Sequence, residues 1–386
     1  MTYNFAQRKI ADKIYTSFGG KEKLSPTSRQ IIEEALELAI DELEEELMNY
    51  PEDADVLSSV LAGKTRTYIK ILSIKKSVPI VSYSEIPVSI ESAKELNPEK
   101  IKLALIQIGL DDTAYSKIDT PTGVLYKLKN PSKVSKIISE AILKVSNDVH
   151  FVCLPECSIP FDETFLSKLS KVARERRLFI IAGSYHDFDS RSNTSLIITP
   201  SRERFTQYKI ERSEEYGEGL KPRIYSVIKI FNIHLLRFAV LICSDISLDS
   251  VVNLFEARSM RCKGVDVVFN PSYTGALTRV HSDIRRFCTK TISYVAFINS
   301  GAGGSVIFAP KNLSEDHHLM CGEPLTTCSN LEVKIFEFEV NVKNLKQFRY
   351  ATRNIQDPEN CYISPSLVMN LLLHERYHEY NTYYAF

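Results

Sequence analysis

The chain has 386 residues, of which 44% are hydrophobic and 25% charged, with 48 Lys+Arg balanced by 48 Asp+Glu. This is the composition of a globular protein with enough apolar content to bury one large domain and a smaller one. The zero formal net charge gives no bulk attraction to nucleic acid or an anionic membrane, and no apolar run reaches the roughly 18 residues that a membrane helix needs.

Residues 1–96 read as a helical module and a linker. The opening MTYNFAQRKIADKIYTSF has no apolar core of signal-peptide length. From Thr27 to Asn49, residues Ile31, Ile32, Ala35, Leu36, Ala39, Ile40, Leu43 and Leu47 recur at helical spacing, with an acidic outer face. Ser25 or Ser28 is placed to cap that helix, and Pro51 stops it. Asp55 to Ile74 reads as a second helix, interrupted by Gly63. Val78 to Pro98 is dotted with prolines and reads as a linker. Packing or dimerisation is the simplest role for this module, and docking to a protein partner is the alternative.

From Lys100 the pattern changes to short apolar runs rich in β-branched residues, which predict buried strands. These are IKLALIQIGL (101–110), DVHFVCLP (148–155), LFIIAGSY (178–185), NTSLIITP (193–200), LLRFAVLIC (235–243), VDVVFNP (265–271), SYVAFINS (293–300), SVIFAP (305–310) and KIFEFEV (334–340). Helical stretches fall between several of them, at 131–145, 161–175, 249–262 and 281–291. Alternation of strand and helix predicts an α/β fold over residues 97–345, with a partly helical tail at 346–386. The eight cysteines (Cys153, Cys157, Cys243, Cys262, Cys288, Cys321, Cys328 and Cys361) form no CxxC pair. Without a signal segment they read as reduced thiols of a cytoplasmic protein.

Three of the runs end on chemistry. Glu156 follows VHFVCLP, Lys209 follows RFTQY, and Cys243 ends LLRFAVLIC before Ser244-Asp245. A thiol attacks as a thiolate, so it needs a base or a neighbouring cation. Glu156 suits proton transfer from the thiol to a leaving amine. Lys209 suits stabilisation of thiolate and oxyanion, and the Ser244 N–H suits an oxyanion hole. Any one of the three alone is weaker evidence, since a lone cysteine after a strand is more often inert core.

Taken together, these segments resemble the nitrilase, or carbon–nitrogen hydrolase, superfamily from about Lys100 to Val342. LALIQI resembles its first strand, FVCLPEC its catalytic Glu segment at Glu156, and FIIAGSY its Gly-Ser strand. SNTSLIITPSRERFTQYKI resembles its Asn-Thr strand and the following Tyr-Lys, with Lys209 as the Lys. FAVLICSDI resembles its nucleophile segment at Cys243, followed by Phe255-Glu256-Ala257-Arg258, by VDVVFNPS and by GGSVIFAP. Matching order and context at this many places is far more specific than any single motif. The resemblance implies a four-layer α-β-β-α sandwich with the site at the strand ends. It implies hydrolysis of an amide-type or carbamoyl-type small molecule through a Cys243 thioester, with no cofactor or metal, in a homodimer or larger homo-oligomer. A second Glu between Lys and Cys is also implied; Glu218, in Tyr-Gly-Glu-Gly, fits best and Glu215 next. Ser-Asp after the nucleophile, where nitrilases usually carry Trp-Glu, favours amidase over nitrile chemistry. Tyr273 and His281 follow a strand end and are pocket candidates.

The chain departs from the family at Asn341, where an Asp is usual ahead of a downstream Arg, and in its helical N-terminus. The alternative function is a regulatory or partner-binding module of the same fold, docking through residues 1–96. Two metal readings compete. His374-Glu375-Arg376-Tyr377-His378 fits HExxH, but a catalytic zinc needs a third protein ligand and little chain follows. His317-His318 with Cys321 is more simply a loop between strands.

Overall fold

The computed structural model describes residues 5–49, 54–75, 79–88, 96–213, 217–221, 223, 225–234, 236–261, 263–300, 303–310 and 331–353; within these, the side chains of residues 5–10, 41–49, 54–60, 71 and 73–75 are not described. The first elements are helices α1 (Phe5–Ser17), α2 (Pro26–Asn49) and α3 (Ala54–Lys75), then strands β1 (Ile80–Pro87) and β2 (Ile101–Ile108). A hairpin of β3 (Tyr115–Thr120) and β4 (Gly123–Leu128) precedes α4 (Pro131–Lys144), β5 (Phe151–Cys153) and α5 (Glu163–Glu175). Next come β6 (Phe179–Asp187), β7 (Ser192–Ile198), β8 (Arg204–Tyr208), β9 (Tyr225–Ile233) and β10 (Leu236–Val240). Helix α6 (Asp249–Ser259), β11 (Val267–Tyr273), α7 (Leu277–Thr291), β12 (Tyr294–Ser300), β13 (Val306–Phe308), β14 (Val333–Val340) and α8 (Val342–Thr352) complete the order.

Twelve strands form two six-stranded sheets, in the orders β14-β2-β5-β6-β7-β8 and β1-β9-β10-β11-β12-β13. Each is mixed, with a parallel centre: β2-β5-β6 in one and β10-β11-β12 in the other. Side chains alternate across a strand, so each central strand supplies two cores. Leu103, Leu105, Phe151, Phe179 and Ile181 meet Phe238, Val240, Phe269 and Ala296 between the sheets. Phe151 stacks on Phe179 at 4.9 Å and meets Phe238 and Phe269 edge-on or tilted at 5.3 and 5.5 Å. The alternate residues Ala104, Ile106, Val152, Leu154 and Ile180 take α4 and α5. Ile230, Ala239, Leu241, Val268, Val295 and Phe297 take α6 and α7. The result is the expected α-β-β-α sandwich.

The helices follow from spacing and caps. Helix α4 buries Val134, Ile138, Ala141 and Ile142 along one stripe. Asp162 caps α5 by accepting from Thr164 N at 2.8 Å. Of the two candidate caps for α2, Ser25 takes the role, accepting from Ser28 N at 3.0 Å. Asn341 caps α8 by accepting from Asn344 N at 2.8 Å. Arg349, on α8, pairs with Asp266 at 3.0 Å, both buried.

One expected element is corrected. The proline-dotted segment 78–98 contains β1, which runs parallel to β9 at the edge of a sheet. Pro79 precedes the strand and Pro87 is its last paired residue, opposite Asn232, so both prolines stand at the ends of an edge strand, where proline is tolerated. Ile80 also joins the apolar cluster of the N-terminal helices, with Ile14, Leu24, Ile31, Ile32, Leu61 and Ile69. Strand β9 and the β3–β4 hairpin stand beside the runs read from sequence. Among the described residues, no helix is long and apolar enough to cross a membrane.

Candidate active site

Each reactive residue sits just past a strand end, on a turn that other parts of the chain hold. Glu156 follows β5 on a tight turn. The backbone of Gly183, at φ 65°, packs against it so closely that a Cβ there would stand 2.1 Å from Pro155 O. Only glycine fits both that backbone angle and that approach. Lys209 follows β8, its N–H bonded to Asn193 O at 2.8 Å. Cys243 was expected at the end of its strand, but β10 ends at Val240. The cysteine instead opens a 3-10 turn, Cys243–Ser247, at φ 49°. A positive φ in a non-glycine residue is strained, and here the surroundings impose it. Asn270 holds the turn by donating to Leu241 O at 2.7 Å and to Cys243 O at 3.1 Å. The first intrahelical bond of the turn is Asp245 N to Ile242 O, so the Cys243 and Ser244 N–H groups precede it.

Asp245 ties the Lys209 segment to the Cys243 segment. Its buried carboxylate accepts from Ile210 N at 3.0 Å, Glu211 N at 3.2 Å and Ile242 N at 3.3 Å. Burial pushes this carboxyl up to about 8, against the opposing pull of Lys209 and of those backbone donors.

Lys209 bridges two carboxylates. Its Nζ lies 2.9 Å from Glu156 Oε1 and 2.8 Å from Glu218 Oε2, and all three side chains are at most 5% exposed. Asn193 Nδ2 donates to the same pair, at 2.7 Å to Glu156 Oε1 and 3.2 Å to Glu218 Oε1. A carboxylate offers about four lone-pair sites. Glu218 fills all of its own: His186 Nε2 at 3.2 Å and Asn193 on Oε1, Lys209 and Ser213 N (2.9 Å) on Oε2. Glu156 has three filled, by Asn193 and Lys209 on Oε1 and by Tyr273 N at 2.8 Å on Oε2. Among the described residues, one site on Glu156 Oε2 is therefore left open, and none on Glu218.

The electrostatics follow this layout. Burial disfavours the charged form of Lys209, but Glu156, Glu218 and Cys243 outweigh it and hold the ammonium well above its usual range. Burial opposes ionisation of Glu218 too, yet Lys209 and the hydrogen bond from His186 hold it far below the usual carboxylate range. Cys243 goes the other way: burial and the Glu156 carboxylate push its thiol up, Lys209 only partly opposing them. The resting cysteine is a neutral thiol, within electrostatic range of Glu156, Lys209 and Glu218.

The structure thus brings Glu156, Lys209, Glu218 and Cys243 together, with Ser244 beside the nucleophile and the Tyr273 backbone on Glu156. The Tyr273 ring meets Tyr115 and Tyr126 at 5.4 and 6.3 Å, and its hydroxyl donates to Asp112. His281 does not join them: it bonds Gly304 O at 3.3 Å and packs edge-on to Phe297 and Phe308. Glu215, His317, His318, Cys321 and the HExxH segment lie outside the described residues. Among the described residues no cluster of His, Cys, Asp or Glu has the makings of a metal site. Sequence reading missed His186, Asn193 as a ligand of both carboxylates, Asp245 as a tether, and the hairpin. Through Val124 the hairpin pairs with the Glu218 segment, by Val124 N to Gly217 O and Gly219 N to Val124 O, both 2.8 Å.

No family model matches the chain. No curated protein matches it. Solved structures of an amidase from Nesterenkonia sp. are similar in chain trace: one shares 15% identity over 69% of this chain and 99% of that one, with a TM-score of 0.46. A cysteine-to-alanine variant of the Nesterenkonia AN1 amidase, described as from the nitrilase superfamily, shares 16% identity over 67% of this chain and 97% of that one, TM-score 0.46. A third structure of that amidase carries the acetamide moiety of fluoroacetamide on its active-site cysteine, at 15% identity, 67% and 97% coverage and TM-score 0.46.

Proposed function

We propose that the chain is an enzyme that hydrolyses a non-peptide carbon–nitrogen bond of amide or carbamoyl type through a thioester on Cys243. The observation that carries this reading is the buried Lys209 ammonium clamped at 2.9 and 2.8 Å between Glu156 and Glu218, beside a cysteine at φ 49°. The resting thiol is neutral, so attack needs a base, and Glu156 has the open lone pair to be one. As Cys243 Sγ bonds to the carbonyl carbon, Glu156 Oε2 takes the thiol proton. The oxyanion is held by the Ser244 N–H and by the third N–H of Lys209, which has no acceptor among the described residues. Collapse breaks the C–N bond, and the amine leaves with the proton from Glu156. Water then loses a proton to Glu156 and adds to the thioester. Collapse of that second oxyanion releases the acid, and the proton returns to Cys243. Glu218, fully occupied, holds Lys209 in place and takes no proton. The Tyr115, Tyr126 and Tyr273 rings beside Glu156 supply an apolar wall for the substrate. Residues 1–96 serve as a packing and oligomerisation element of a homodimer or larger homo-oligomer.

Ammonia release from acetamide, butyramide and N-carbamoylglycine tests the reading. Wild type is expected to turn over at least one of these, with its acyl adduct on Cys243 visible by intact mass during turnover, whereas Cys243→Ala and Glu156→Gln, lacking the nucleophile or its base, release no ammonia and form no adduct. No release by wild type and no adduct on any of them would favour the partner-binding module of the same fold.

A further inference from the structure

We propose that His186 is a positioning residue that fixes the Glu218 carboxylate, and through it Lys209, by donating a proton whose location the β3–β4 hairpin sets. The inference rests on the hydrolase reading above. His186 lies on β6 with its side chain 1% exposed. Its Nδ1 accepts the Tyr126 backbone N–H at 2.8 Å. A nitrogen that accepts carries no proton, so in this geometry the imidazole is neutral with its proton on Nε2. Nε2–H then faces Glu218 Oε1 at 3.2 Å, with Cys157 Sγ beside it at 3.6 Å. The carboxylate is the stronger acceptor of the two. The contact is a hydrogen bond to an anion and not an ion pair. It also excludes His186 as a base for Cys157, because the nitrogen nearest that thiol already holds its proton.

The donor matters because Glu218 Oε1 has, among the described residues, one other partner, Asn193 at 3.2 Å. Without His186 the carboxylate keeps three of its four tethers, but Oε1 is fixed by Asn193 alone and rotation about the Cγ–Cδ bond is less restrained. Tyr126 belongs to the strand whose Val124 pairs with Gly217 and Gly219, so the hairpin fixes Glu218 twice, through backbone pairing and through the tautomer of His186. Gly123, at φ 139°, permits this approach; a Cβ there would meet Gly217 O at 2.2 Å.

The test compares two substitutions that differ in which imidazole nitrogen they replace. The amide of His186→Asn reaches the Nδ1 position and accepts from Tyr126, but offers Glu218 nothing. The amide of His186→Gln reaches the Nε2 position and donates to Glu218. Steady-state kinetics use whichever of acetamide, butyramide and N-carbamoylglycine wild type turns over, with melting temperatures alongside. His186→Asn is expected to lose roughly 10- to 100-fold in kcat with KM within about threefold, while His186→Gln stays within about fivefold of wild type in kcat. Wild-type kcat in His186→Asn, or equal losses in both variants tracking a lower melting temperature, would overturn the positioning role alone. No turnover by wild type on any of the three amides would overturn the hydrolase reading and this role with it.

Discussion

Replacing Lys209 with Met keeps the length of the side chain and removes the cation between two buried carboxylates. Breaking a buried pair by deleting one partner costs about 3–5 kcal/mol, because the other charge is left uncompensated. For a chain of this size that is a fall in melting temperature of roughly 4–6 °C near neutral pH. The pH dependence carries the sharper test. In wild type Glu218 is held below its ordinary value of 4.5, so its contribution to stability is present above pH 4.5 and is lost as pH falls through the depressed value. Lys209 is held above its ordinary 10.5, so its contribution persists across the whole neutral range and is lost only as pH rises through that raised value. In Lys209→Met, burial is the largest remaining influence on Glu218 and acts to raise its pKa. The folded value therefore moves up from its wild-type position, and the stability that Glu218 adds in wild type shrinks by about 1.4 kcal/mol for each unit of that move. The gap between wild type and variant should widen as pH rises from about 3 toward 8. Thermal unfolding across that range, followed by circular dichroism, measures it. A gap that stays constant, or is greatest at acid pH, would refute the account of Lys209 as the charge that keeps Glu218 ionised.

Gly183→Ala should cost at least 10-fold in turnover as well as stability, since its Cβ would stand 2.1 Å from Pro155 O and displace the turn bearing Glu156; intact kinetics in a stably folded variant would count against that packing. Asp245→Asn turns an NH₂ group toward backbone donors that now meet a carboxylate, so turnover should drop about 10-fold or more while Cys243 remains present and alkylatable by iodoacetamide. Unchanged kcat would show that the tether does not set the Lys209–Cys243 relation. Arg349→Ala removes a buried guanidinium from Asp266 and from the carbonyls of Gly264, Val265 and Ile292, which should cost about 3–5 kcal/mol in denaturant unfolding. Asp266 stands at the opposite end of β11 from Tyr273, so the activity per folded molecule should be unchanged; a selective loss of kcat would contradict that separation.

What could be read from sequence, and what could not, divides along physical lines. Glu156, Lys209 and Cys243 could be named as candidates because each stands at or just after a strand-like run, and because the order and context of those runs resemble one family. The runs themselves predicted an α/β fold; the two-sheet core was implied by that resemblance. Strand β1 was not legible, because Pro79 and Pro87 punctuate it as a linker would be punctuated, and only its pairing with β9 shows that they mark the two ends of an edge strand. His186 was hidden for a different reason. A histidine inside a nine-residue strand looks like any buried polar residue, and its role depends on a backbone N–H sixty positions earlier. Asn193 was visible within an Asn-Thr strand, but nothing in the sequence says that its two amide hydrogens serve two different carboxylates.

The same limit applies to the roles of the acids. Sequence reading assigned proton transfer to Glu156 and named Glu218 as the second Glu that the resemblance implies, but showed nothing that separates two identical side chains. Hydrogen-bond occupancy makes them unequal: among the described residues one lone pair is left on Glu156 and none on Glu218. A proton carrier needs a vacant acceptor in the resting state, and an anchor needs the opposite. In the proposed mechanism the division of labour between two identical side chains is therefore set by five donors from β6, β7, β11 and the segment after β8, which decide how many lone pairs each carboxylate keeps.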